Sequence, residues 1–174
     1  MIEVTLEAIQ MSLVSPHRIV VLREVDLERY LPIWIGPCEA EAIAVRMNDV
    51  AMPRPLTHDL LVNVLNALGV TLIYIYINAL IDTTFYAQLV LDVNGKEMEI
   101  DSRPSDAIAI AVRAGVPIYI AEEVMEEAGV IPEQDLIITP VEGGEEEDKD
   151  LGVFRDFLSS LGEESTPPEE TDES

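Results

Sequence analysis

β-rich apolar runs broken by polar residues fill the first 35 positions, as strands require. Ile2–Val14 and His17–Val25 read as strands separated by the turn signal Ser15-Pro16, and Tyr30–Ile35 reads as a third. From Pro37 the spacing becomes that of a helix, which runs to about Asn48. A link containing Pro53 and Pro55 leads to a second helix, Thr57–Leu68. Thr57 is its expected N-cap, Leu60, Leu61, Val64, Leu65 and Leu68 its apolar face, and Gly69 its stop. Strands then return at Val70–Leu80 and Thr84–Val93, and Asn94-Gly95 is a strong hairpin signal into Glu97–Asp101. Pro104 opens a helix ending at Gly115. Pro117–Ala121 is a short strand, and Glu122–Ala128 a last helix before Gly129. Runs of strands followed by helices predict an α+β fold on a mostly antiparallel sheet.

The pattern repeats. At an offset of 67 residues, the segment from Leu31 to Arg46 falls on that from Met98 to Arg113. Pro37 meets Pro104, Ala40 meets Ala107, and the run from Ala42 to Arg46 is identical to that from Ala109 to Arg113. The expected architecture is therefore an internally duplicated strand-strand-strand-helix unit. Its paired helices, Ala40–Val45 and Ala107–Val112, carry Ala or Ile on nearly every side, which places both at the centre of the fold or at a subunit interface.

Charge divides the 174 residues in two. Residues 1–141 hold 21 acids and 8 bases, a net of −13; residues 142–174 hold 13 acids and 2 bases, a net of −11. The expected organisation is a folded domain over 1–141 and an acidic tail over 142–174. Within the tail, Leu151, Phe154, Phe157, Leu158 and Leu161 recur at helical spacing and predict a short amphipathic helix near 150–161. The lone thiol, Cys38, excludes a disulfide framework and a cysteine-based zinc knuckle. No basic segment precedes an apolar stretch at the start, and the longest apolar run, Val70–Ile81, falls far short of the roughly 20 residues of a membrane span. The expectation is a protein of the cytoplasm with no membrane partner. A net of −13 on the domain excludes a tight electrostatic grip on nucleic acid, so any DNA or RNA substrate is bound weakly.

Glycine-rich phosphate loops, zinc-protease helices and serine-nucleophile elbows are missing from the sequence. What remains is polar chemistry at helix starts: Arg54-Pro-Leu-Thr-His58-Asp59 and Asp101-Ser-Arg103-Pro-Ser-Asp106, with Gly36-Pro-Cys-Glu39-Ala-Glu41 as the counterpart of the latter. Each residue has an ordinary structural explanation, since carboxylates in a first turn complement the helix dipole and Ser or Thr cap it. Convergence would give them a second use. His58, Asp59, Asp101 and Asp106 together make an imidazole beside carboxylates, a set suited to general acid–base work. Asp101 and Asp106 are the expected ligands of Mg²⁺ or Mn²⁺, and Arg54 and Arg103 the expected phosphate binders.

These motifs, with Leu31-Pro-Ile-Trp-Ile-Gly-Pro, Ser102-Arg-Pro-Ser-Asp-Ala-Ile-Ala and Pro117-Ile-Tyr-Ile-Ala-Glu-Glu, resemble the bifunctional nuclease domain family over roughly residues 1–138. The resemblance implies an α+β fold with an internal duplication, self-association (a dimer first) and nuclease activity on DNA and RNA. It brings no residue assignments, so the site above rests on chemistry alone. Two competing expectations follow: a metal-assisted nuclease, and a non-enzymatic oligomeric binding or regulatory protein. A small-molecule sensor using Arg54, His58 and Arg103 for an anion is a third.

Overall fold

The computed structural model describes residues 1–11 and 18–131, within a compact unit spanning Met1–Ile131. The expected turn at Ser15-Pro16 and the helix near 150–161 lie outside the described residues. Eleven elements follow in order: β1 (Ile2–Met11), β2 (Arg18–Glu24), β3 (Tyr30–Ile35), α1 (Pro37–Met47), α2 (Thr57–Ala67), β4 (Thr71–Ile81), β5 (Thr84–Val93), β6 (Lys96–Ser102), α3 (Pro104–Ala114), β7 (Ile118–Ile120) and α4 (Glu122–Ala128). The fold is α+β, with a seven-stranded sheet in the order β3-β2-β1-β7-β4-β5-β6.

Local chemistry explains the elements. β1, β2 and β3 form one antiparallel meander and β4, β5 and β6 another. The β5–β6 turn is closed by Asn94 (φ 55°) and Gly95 (φ 78°), both left-handed, as a two-residue hairpin turn demands. The β4–β5 turn uses Asp82 (φ 47°) and Thr83 (φ 64°), where a β-branched residue is a costly occupant. β7 joins the meanders, antiparallel to β1 and parallel to β4.

The core lies where alternate strand residues, among them Val20, Leu22, Ile75, Ile77, Leu89 and Leu91, meet the helices. α3 is its centre. Residues Ala107 to Ala111 are all buried, and the helix packs against β4, β5, α1 and α2. Alanine at alternate positions lets neighbouring backbones approach closely.

The order β-β-β-α recurs, and α1 and α3 are each eleven residues long, opening at prolines 67 positions apart. Their settings differ. α3 is buried as expected, whereas α1 buries only Ala40 and Ile43 and leaves Cys38, Glu41, Arg46 and Met47 exposed. The reason is position: α3 lies on the sheet and touches two other helices, while α1 caps one side of α3.

Candidate functional site

The first turns of three helices meet around the Arg103–Asp106 pair. Pro104 holds Arg103 in an extended conformation (φ −70°, ψ 144°), which lets the Arg103 side chain fold back over the first turn of α3. Its guanidinium grips Asp106 with two hydrogen bonds, Nε to Oδ2 at 2.7 Å and a terminal nitrogen to Oδ1 at 3.2 Å. Its other terminal nitrogen donates to Glu39 Oε1 in the first turn of α1 at 3.1 Å. From the first turn of α2, His58 Nε2 lies 3.3 Å from Asp106 Oδ1. The side chains of His58 and Asp106 are 16% and 29% exposed, so the pair is reachable yet partly shielded. It lines a cleft of about 510 Å³ with Arg103, Glu39, Cys38 and Met52.

The electrostatics follow from these contacts. Burial works against the Asp106 carboxylate, but the hydrogen bonds from Arg103 and His58 outweigh it and hold the group below its usual range. The carboxylate is anionic at neutral pH and ready to accept an N–H from His58, leaving imidazole Nδ1 to exchange a proton elsewhere.

Asp59 has a different task. Its Oδ2 accepts the N–H of Leu56 at 2.8 Å and its Oδ1 accepts Arg113 Nε at 2.6 Å. Burial again opposes ionisation, and the Leu56 N–H and Arg113 together prevail, so this carboxyl also titrates below its usual range. The N-cap of α2 is therefore Leu56, with Asp59 reaching back from the third helical residue, and not Thr57 as its hydroxyl suggested. Both carboxyls are depressed from the ordinary 3.8, so their contribution to stability is complete above that pH and is lost as pH falls through their folded-state values. We expect the melting temperature to fall below about pH 4, and Asp59→Asn to flatten that acid limb; an equally steep limb in the variant would contradict it.

Arg54 lines an adjoining cleft of about 490 Å³ with Arg46, Asp59, Asn63 and Arg113, and Val45 and Met52 border both clefts. Arg46 is tied to Asp49 and Arg113 to Asp59, whereas Arg54 has no ion pair among the described residues.

Asp101 stands apart. It pairs with Gln88 in the β5–β6 ladder, out of phase with Ile100↔Leu89 and Ser102↔Ala87, whose β5 members enter the core. Its side chain thus leaves the sheet on the face opposite the helices. The expected pairing of Asp101 with Asp106 on one metal ion is not formed. Both oxygens of Asp106 and both of Asp59 are already engaged. Among the described residues no group of three or more His, Cys, Asp or Glu is placed to hold a metal ion. This donor set does not fit Mg²⁺ or Mn²⁺, which take several oxygen ligands in a regular shell.

Arg113 is the residue that sequence reasoning missed. Its side chain is 4% exposed and donates to Asp59, to the carbonyl of Ala109 and to the carbonyl of Ala42, both at 2.8 Å, so one guanidinium fastens α3 to α2 and α1. Its counterpart in the first half, Arg46, is exposed and bound to Asp49 at the end of its own helix. The available signal was a lone cation in an otherwise apolar helical stretch, which reads equally well as a C-terminal dipole partner.

This α+β fold, with its polar helix starts gathered around Asp106, is that of a nuclease-related domain: the bifunctional nuclease domain family matches residues 20–133, and the chain belongs to it. An uncharacterised protein of Mycobacterium tuberculosis (strain ATCC 25618 / H37Rv) is 41% identical over 164 residues, covering 91% of this chain and 94% of its own. Bifunctional nuclease 1 of Arabidopsis thaliana is 28% identical over 131 residues, covering 72% of this chain and 40% of its own. Bifunctional nuclease 1 of Oryza sativa subsp. indica is 27% identical over 120 residues, 67% of this chain and 36% of its own. No helix among the described residues is long and apolar enough to cross a membrane.

Proposed function

We propose that this protein hydrolyses phosphodiester bonds of DNA or RNA at the His58–Asp106 pair. The observation that carries the reading is the meeting of an imidazole, an oriented carboxylate and a guanidinium at three helix first turns. Family membership supports the reaction class. In this reading Asp106 holds the Nε2–H of His58, and Nδ1 takes the proton of the attacking water as the new P–O bond forms. The departing oxygen is protonated by solvent. Arg103, and Arg54 from the adjoining cleft, offer N–H donors to the phosphate oxygens. The Mg²⁺ or Mn²⁺ expected from the sequence has no part in these steps, because Asp106 is already held by Arg103 and His58 and Asp101 leaves the opposite face of the sheet.

The test is cleavage of end-labelled single-stranded DNA and RNA at low salt, with and without EDTA. Wild-type protein should cut slowly with EDTA present, and His58→Ala should lose about 100-fold or more of the rate while keeping its fold. Undiminished cleavage by His58→Ala would overturn the site. Activity that vanishes with EDTA would return the reaction to a metal ion.

A second reading, a non-enzymatic binding protein, draws on one observation. Arg103 already satisfies two carboxylates and has little left for a phosphate. Retained binding of nucleic acid with no turnover in either buffer would select it.

A further inference from the structure

The cleft that holds His58 is short of positive charge. One arginine, Arg103, lines it against Glu39, Glu41 and Asp106, and Arg103 is already bound to two of those three. A phosphate arriving there meets more repulsion than attraction. The cleft beside it has the opposite balance. Arg46, Arg54 and Arg113 line it with Asp49 and Asp59. Arg46 is paired with Asp49 and Arg113 with Asp59, so one guanidinium is left over. The Arg54 side chain is exposed and makes neither an ion pair nor a hydrogen bond among the described residues. That is an unusual state for a cation in residues 1–141, whose net charge is −13.

The two clefts are continuous neighbours. Val45 and Met52 border both, and the first turn of α2 stands between them, with His58 lining one and Asp59 the other. The Arg54 cleft, of about 490 Å³, falls within the range of small-ligand sites, roughly 300–1,000 Å³. Val50, Met52 and Val62 give it an apolar wall, and the exposed side-chain amide of Asn63 offers one donor group and one acceptor. No aromatic side chain lines either cleft among the described residues. Base stacking therefore contributes little, and phosphate contacts must carry the affinity for a strand.

We propose that the Arg54 cleft is the anchoring subsite for a nucleic-acid strand: Arg54 binds the phosphate next to the one at His58. The inference rests on the reading of the His58 cleft as a phosphodiester site and deepens it. The charge that draws the strand lies one nucleotide away from the His58–Asp106 pair, and the shortest ligand held well carries two successive phosphates. The guanidinium fork suits the two free oxygens of a backbone phosphate. Asn63 and the apolar wall then receive the sugar and base of the flanking nucleotide.

The test is competition by unlabelled thymidine ligands against a fluorescein-labelled oligothymidylate, read by anisotropy on the full chain at low salt. The dinucleoside monophosphate carries one phosphate and the trinucleoside diphosphate two. Wild-type protein should bind the second about 10-fold more tightly than the first, and Arg54→Ala should lose that step with unchanged circular dichroism. Arg54→Ala should also reduce the slope of log K against log salt for the labelled strand by about 0.7. Lys96→Ala, which removes a cation that lines neither cleft, should keep both the step and the slope. A step that survives Arg54→Ala, an equal loss in Lys96→Ala, or no binding by the wild type overturns the proposal. Competition by inorganic phosphate as strong as that by the trinucleoside diphosphate makes this a free-anion site and overturns it too. A step lost in Arg54→Ala, from a wild-type protein that never cleaves, supports the anchor and sinks the hydrolytic reading alone.

Discussion

Replacing Arg113 with methionine should destabilise the domain by about 2–4 kcal/mol, lowering its melting temperature by roughly 10–15 °C. Methionine keeps the aliphatic stem, so little packing is lost; what disappears is the guanidinium. Asp59 then loses one of its two partners, and the carbonyls of Ala42 and Ala109 lose the donor they gain beyond their helical N–H. The magnitude sits below the full cost of breaking a buried ion pair because Asp59 is 34% exposed and water can replace part of the contact. Asp59→Asn should cost less, since an amide oxygen still accepts the Leu56 N–H. Arg46→Met, at the equivalent place in the first half, should stay within about 0.5 kcal/mol, as expected for an exposed pair. Thermal melts of the three variants check the order, and equal losses at Arg46 and Arg113 would contradict it.

The second large effect concerns turnover. Asp106→Asn should reduce cleavage by roughly 100- to 10,000-fold at neutral pH, the range spanned by general acid–base groups. The amide still fills the space but carries no charge, so it neither holds His58 in one tautomer nor stabilises the imidazolium. Asp101→Asn makes the contrasting control: its side chain leaves the other face of the sheet, and cleavage should be unaltered. A loss at Asp101 equal to that at Asp106 would revive the expected metal pair. Single-turnover rates across pH for the three proteins decide between them.

Most of the strands and helices could be read from the residues because their signals are local. Pro37 and Pro104 open helices, Asn94-Gly95 closes a hairpin, and β-rich runs between turn signals mark the strands. The helix ends needed more than type: Thr57 has the chemistry of a cap, yet the chain enters α2 one residue earlier and Asp59 does the capping. The site was half legible. His58, Asp106 and Arg103 do converge, because α2 and α3 pack with their first turns together. Asp101 is only five positions from Asp106, but the strand–helix junction at Arg103-Pro104 turns its side chain to the other side of the sheet, and nearness in sequence misled. The same lesson applies to the paired Ala/Ile helices. Identical residues in α1 and α3 predicted identical burial, but α3 lies between the sheet and two other helices, whereas α1 rests on β2 and one side of α3.

The three residues of β7 have a consequence for how the chain folds as it is made. Among the described residues they are the only strand between the two meanders, pairing Ile2–Val4 of β1 on one side and Ile75–Ile77 of β4 on the other. Until residue 120 has left the ribosome, β1 and β4 each present an unpaired edge, and no continuous sheet exists. A contact across more than 110 positions of chain forms late, which gives the fold a non-local closing step. A nascent chain or fragment ending at Val116 carries two open edges at once. Such a product is a hazard for edge-to-edge aggregation, although every helix of the candidate site has by then been synthesised.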